Sequence, residues 1–250
     1  MESRDCDALE QHLYKFLLVF YTVWLAVIRK SPKRVLESIA GRRLVGDVEF
    51  FGFEVREPFA WTREDPTSGH NTWLSVQYAM LNKCMLFCVL FEHRVTWTLL
   101  DTLGLTGVNV AWRNCFSRPR SFMFDQSQNL MFPYHSVLEI TSVSGRSWIF
   151  DGTIAQYGRD CWLWRKADYY ATCVRPKSKF FLPTDFERDS ACWELENGEG
   201  WDASYWRKID AIIGSFFRSF DWDSMADLAH QQIRARVGQQ IDAFLDKHDL

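Results

Sequence analysis

Residues 135–151 run HSVLEITSVSGRSWIFD, two short stretches rich in Val, Ile, Phe and Trp around a Ser144-Gly145 turn. Strand, glycine-containing turn, strand is the pattern of a β-hairpin. An antiparallel ribbon brings its two outer ends together, so His135 at the start of the first strand and Asp151 at the end of the second are predicted to be neighbours. A carboxylate bonded to one ring nitrogen fixes the tautomer and frees the other nitrogen to act as a base. The competing reading is a structural pair satisfied within a core network. Alternation along HSVLEITSV predicts one buried and one accessible sheet face.

The rest of the chain supplies helices to cover such a sheet. With 47% apolar, 16% aromatic and 24% charged residues, the 250-residue chain has a core to fill, which excludes disorder, collagen and coiled coil. The run FLLVFYTVWLAVI, residues 16–28, follows an acidic rather than a basic leader, which argues against a signal peptide. It is shorter than a bilayer span and reads as a buried or docking helix in preference to a membrane contact. Residues 8–40 read as two helical pieces separated by Ser31-Pro32. The basic cluster Arg29, Lys30, Lys33, Arg34, Arg42 and Arg43 around them reads as a solvated face rather than a site for an acidic partner. DVEFFGFEV, residues 47–55, reads as a strand, and so does VNVAW, residues 108–112. NTWLSVQYAMLNKCMLFCVLFEH, residues 71–93, has apolar positions at helical spacing and is predicted to be one central helix. Residues 114–128 read as a loop or a distorted connection, and two helices near 202–218 and 223–247 close the chain. The expected fold is α+β: a central helix packed on an antiparallel sheet, with N-terminal and C-terminal helices. The corresponding segments are 1–45, 46–200 and 201–250.

The formal charge of -3 provides no overall positive field for a nucleic-acid backbone, so a small-molecule, peptide or protein partner is expected. Seven cysteines, at 6, 84, 88, 115, 161, 173 and 192, form no CxxC pair. They read as reduced thiols in a cytoplasmic setting rather than a disulfide framework or a zinc ribbon. No phosphate-loop, dinucleotide-binding or metal-helix motif is present, so neither cofactor nor metal is expected.

The block HSVLEITSVSGRSWIFDGTIAQYG resembles the His-strand-turn-strand-Asp segment of the transglutaminase-like, papain-like cysteine superfamily, which includes arylamine N-acetyltransferases. The resemblance spans residues 70–157 and implies a nucleophilic Cys at the N-terminus of a buried helix, with His135 and Asp151 on adjacent strands. At the start of the expected central helix the chain instead reads Ser68-Gly69-His70-Asn71-Thr72-Trp73. Asn71 and Thr72 look like helix caps. Cys84 and Cys88 fall more than two turns inside that helix and read as small buried hydrophobes. Cys115, near Arg113, Arg118 and Arg120, is kept as the candidate thiol, and Thr72 as a candidate hydroxyl nucleophile. His70, Asn71 and Arg113 are candidate substrate-binding groups. Gln156 joins them, matching a polar position just after the Asp strand of the superfamily.

Two main functions follow as expectations, with a third ranked behind them. One is an enzyme of acyl or aminoacyl transfer, or amide hydrolysis, with His135 as general base, Asp151 orienting it, and Cys115, Thr72 or the acceptor itself as nucleophile. Its substrate would be a small molecule or peptide carrying an amine or acyl group. The other is a catalytically silent module of the same fold that binds a protein or small ligand. An interaction protein using the N-terminal apolar helix ranks third.

Overall fold

The computed structural model describes residues 2–34, 36–55, 61–62, 77–80, 83–102, 104–125, 134–197, 201–225 and 227–248. The apolar run of residues 16–28 lies within one long helix, α1 (Glu2–Lys30), and every residue of the run except Leu25 is buried. Leu9–Lys30 has the length and hydropathy of a bilayer-crossing helix, but 72% of its apolar window is covered by the rest of the protein. Phe20 stacks on Phe217 at 4.3 Å, and Trp24 meets Phe87 edge-on at 5.4 Å. Burying aromatic side chains of this size contributes about 1.5–3 kcal/mol each.

Pro32 ends the first helix as expected, but the chain then becomes strand instead of a second helix. After the two-residue β1 (Lys33–Arg34), β2 (Leu36–Val45) and β3 (Val48–Val55) form an antiparallel hairpin. The local helix propensity of LESIAGRRLV yields to the partner strand, with Gly46 at φ 63° making the turn. After β4 (Trp61–Thr62), which pairs with β1, comes the largest departure from the sequence reading. Residues 77–80 form one helical turn and Lys83 leaves helical geometry, at φ -99° and ψ 5°. A new helix, α2 (Cys84–Trp97), starts at Cys84, its first bond running from Phe87 N–H to the Lys83 carbonyl. Apolar residues at helical spacing lie on both sides of the break, so periodicity alone does not reveal it.

The segment expected to be a loop after Asn114 is largely strand. β5 spans Asn109–Phe116, and β6 (Ser121–Asp125) pairs in parallel with β3. The predicted hairpin is β7 (Tyr134–Thr141) and β8 (Ser147–Phe150), and β9 (Leu163–Arg165) completes a four-stranded antiparallel sheet ordered β5-β7-β8-β9. All residues from His135 to Ile140 are buried, so β7 has no accessible face. As a central strand roofed by helices it is covered on both sides. Helices α3 (Lys166–Cys173), α4 (Asp185–Asn197), α5 (Trp201–Ser219) and α6 (His230–Asp246) follow. Two cations of the expected basic cluster are neutralised by α6, Arg29 by Asp242 at 2.5 Å and Lys30 by Asp246. The molecule is an α+β protein whose main core draws on α1, α2, the four-stranded sheet, α5 and α6.

Phe87 lies three residues into α2 and packs edge-on against Phe150 at 5.1 Å, fixing the helix start over the end of β8. Gly152 makes this approach possible, since a Cβ there would overlap the Phe87 ring. Gly152→Ala is therefore expected to cost about 1–3 kcal/mol through overpacking. Chemical denaturation checks this, and an unchanged midpoint would mean that the ring does not hold the helix over Asp151.

Candidate active site: a buried Cys84, His135 and Asp151

The hairpin register determines where the acid and the imidazole meet. Leu138 is opposite Phe150, so continuing the ladder one step sets Asp151 opposite Val137, two residues from His135. Diagonal neighbours across an antiparallel pair are within side-chain reach. His135 Nε2 and Asp151 Oδ2 are 2.7 Å apart, both side chains wholly buried.

Asp151 is held on both oxygens. Oδ2 also accepts a hydrogen bond from the Tyr169 hydroxyl at 2.7 Å, and Oδ1 accepts from Thr153 N–H at 3.1 Å and from Thr153 Oγ1 at 3.4 Å. A buried carboxyl group needs its lone pairs occupied in this way. The network continues outward: Gln156 Nε2 donates to Thr153 Oγ1 at 3.0 Å, and Gln77 Nε2 donates to the Gln156 carbonyl and to Ser121 Oγ. Tyr157 closes over the imidazole edge-on, with ring centroids 4.7 Å apart.

Cys84 is the third member. Nε2 of His135 is taken by Asp151, and Nδ1 has no hydrogen-bond partner among the described residues, so it is the ring nitrogen left available to a thiol. Burial pushes the Cys84 thiol up, but hydrogen bonding to His135, its charge and a backbone bond from Ser136 outweigh burial, and the net shift is downward. Burial disfavours the His135 imidazolium, yet the charge and hydrogen bond of Asp151, with Cys84 beside it, raise the ring above its ordinary value. The two shifts run in opposite directions, as they do where a thiol and an imidazole compete for one proton. Cys84 also stands at a helix N-terminus, where unpaired N–H groups and the dipole favour negative charge. Of the three residues only Cys84 keeps exposed surface, at 7%.

The other candidates fall elsewhere. Cys115 lies on β5 opposite His135 but is fully buried, and burial pushes its thiol well above the ordinary range, the reverse of activation. Arg113 neither activates that thiol nor waits for a substrate. It donates to Glu139 at 2.6 Å, and Lys166 donates to the same carboxylate at 2.5 Å. Gln156 is buried in a short 3-10 turn (Ile154–Tyr157) and bonded to Thr153, a supporting position. Thr72, His70 and Asn71 lie outside the described residues. Sequence reasoning missed Cys84, Thr153 and Tyr169. The one clue to Cys84 is the polar pair Asn82-Lys83 interrupting the apolar run.

No family model matches the chain, and no curated protein or solved structure matches it.

If Asp151 organises this centre, Tyr169→Phe, which removes one donor to a buried carboxylate, is expected to lower stability by about 1.5–3 kcal/mol. Asp151→Ala, which strands the donors of His135, Tyr169 and Thr153 together, is expected to cost more, about 3–5 kcal/mol. Urea unfolding of the two variants orders them, and a Tyr169→Phe loss equal to or above that of Asp151→Ala would contradict the network.

Proposed function

We propose that the protein catalyses acyl transfer or amide hydrolysis through a thiol centre in which Cys84 is the nucleophile, His135 the acid-base group and Asp151 its anchor. The observation that carries this reading is the position of Cys84 as the first residue of α2, beside a histidine fixed by a buried carboxylate. The order helix-start cysteine, strand histidine, strand aspartate is the order that the transglutaminase-like resemblance calls for, and it supports the same class. The silent-module alternative rested on a missing thiol at the helix start, and Cys84 removes that ground.

In the proposed reaction the Cys84 thiolate attacks the carbonyl carbon of an acyl donor, and the carbonyl electron pair moves to oxygen. The first-turn N–H groups of α2, which lack intrahelical acceptors, serve as donors to that oxyanion. The intermediate collapses to a thioester as the leaving amine takes the His135 proton. An acceptor amine or water then gives its proton to His135 and attacks the thioester, which returns acylated acceptor or free acid and regenerates the thiolate. Asp151 holds the ring in one orientation throughout and stabilises its charged form. Exclusion of water strengthens each of these electrostatic interactions. A small molecule or peptide with an amine or acyl group suits this chemistry.

A depressed thiol value leaves thiolate present at lower pH than in an ordinary cysteine, so alkylation should already be fast near neutrality. Peptide mapping after limited iodoacetamide treatment is expected to find Cys84 labelled before the exposed Cys161 and Cys192, whose thiols are shifted upward. His135→Gln should move the Cys84 rate profile to more alkaline pH and slow acyl-ester turnover by about 100-fold or more. Labelling of Cys161 and Cys192 alone in the folded protein would reject the thiol mechanism.

A further inference from the structure

Beyond α3 the chain makes a turn at Arg175-Pro176-Lys177-Ser178, closed by Ser178 N–H to the Arg175 carbonyl at 3.0 Å. Proline in the second position and a positive φ in the third are the marks of a type II turn, whose third position favours Gly or Asn. Here it is Lys177, at φ 69°, the single non-glycine residue with positive φ among the described residues. A strained side chain persists only where its surroundings hold it, and this turn is clamped to the outer edge of β5. Arg175 N–H donates to the Phe116 carbonyl at 2.9 Å, Asn114 and Phe181 exchange backbone bonds at 2.8 and 3.0 Å, and Tyr170 Oη donates to the Ser178 carbonyl at 2.5 Å.

Between the turn and the strand edge lies a cavity of about 380 Å³, walled by the rings of Phe116 and Phe181 and by residues 175–179. The ring centroids are 6.0 Å apart, and the two residues keep 42% and 37% of their surface exposed. Lys177 and Lys179 border the same cavity, are exposed, and make no ion pair among the described residues. No carboxylate among the described residues lines it. Glu187, which reaches Tyr134 beside this groove, is taken up by the Tyr134 hydroxyl and by Thr184. Phe116 is opposite Tyr134, the residue before His135, so the groove lies at the end of the sheet where the thiol centre is found.

We propose that this groove is a binding subsite for an anionic group, phosphate or carboxylate, carried on an aromatic body, with the rings holding the body and Lys177 and Lys179 the charge. Its assignment as the place where the non-reacting end of the acyl donor is held rests on the thiol reading above, while its ligand chemistry does not. Contacts remote from the reacting carbon are where an enzyme gains binding energy for orientation.

The full-length protein titrated with naphthyl phosphate, followed by fluorescence anisotropy, is expected to show saturable one-to-one binding that weakens with added salt. Lys177→Gln with Lys179→Gln should weaken it about tenfold, and naphthol should bind as poorly as naphthyl phosphate does to that variant. Lys177→Gly should raise the melting midpoint while weakening binding, because glycine accepts the left-handed conformation. Cys84→Ala should bind like wild type, so an inert thiol and an empty groove are separate results. Absence of saturable binding, equal affinity for naphthol, or unchanged affinity in the double Gln variant would overturn the proposal.

Discussion

A single carboxyl group with no access to water organises the centre of this protein. Asp151 follows directly on β8 and gathers an imidazole from β7, a phenol from α3 and the N–H and hydroxyl of the next turn. Stranding such a group costs several kcal/mol, so the elements supplying its donors are bound to one arrangement. The same arrangement fixes the His135 ring and leaves its remaining nitrogen without a hydrogen bond among the described residues. Stability and proposed chemistry therefore depend on the same four bonds.

The thiol arrives from the opposite direction. α1 runs through the core and presents Trp24 to Phe87, and Phe87 presses on Phe150 and on the backbone at Gly152. That aromatic stack sets the height of α2 over the sheet, and the break at Lys83 sets where the helix begins. A helix starting one turn earlier would leave Cys84 inside a run of satisfied N–H groups, with no terminal dipole to lower its thiol. The long apolar helix that looks like a membrane segment by composition is, in the folded chain, the floor beneath α2.

The hairpin and its His-Asp pair were readable in the sequence because a period of two and a glycine turn determine register, and register determines which side chains meet. The α+β class followed from the same alternation of patterns. The helix start was not readable. Cys84, Phe87, Cys88, Leu90, Phe91 and Val95 are all buried, so α2 has no polar stripe to show its limits, and a strand-bound histidine decides which cysteine is the proposed nucleophile. Tyr169 was invisible for a related reason: it is 18 positions past Asp151 on a separate helix, and only tertiary packing brings the hydroxyl back. Residues 36–45 carried a misleading local preference that pairing with β3 overrode.

The ionisation of Cys84 tests the account most directly. Thiolate ultraviolet absorbance across the pH range, taken as the difference between the wild-type protein and Cys84→Ser, should show a thiolate already present at neutrality that disappears in His135→Gln. A difference signal that grows only in the alkaline range of an ordinary cysteine, unaltered by loss of the imidazole, would contradict it.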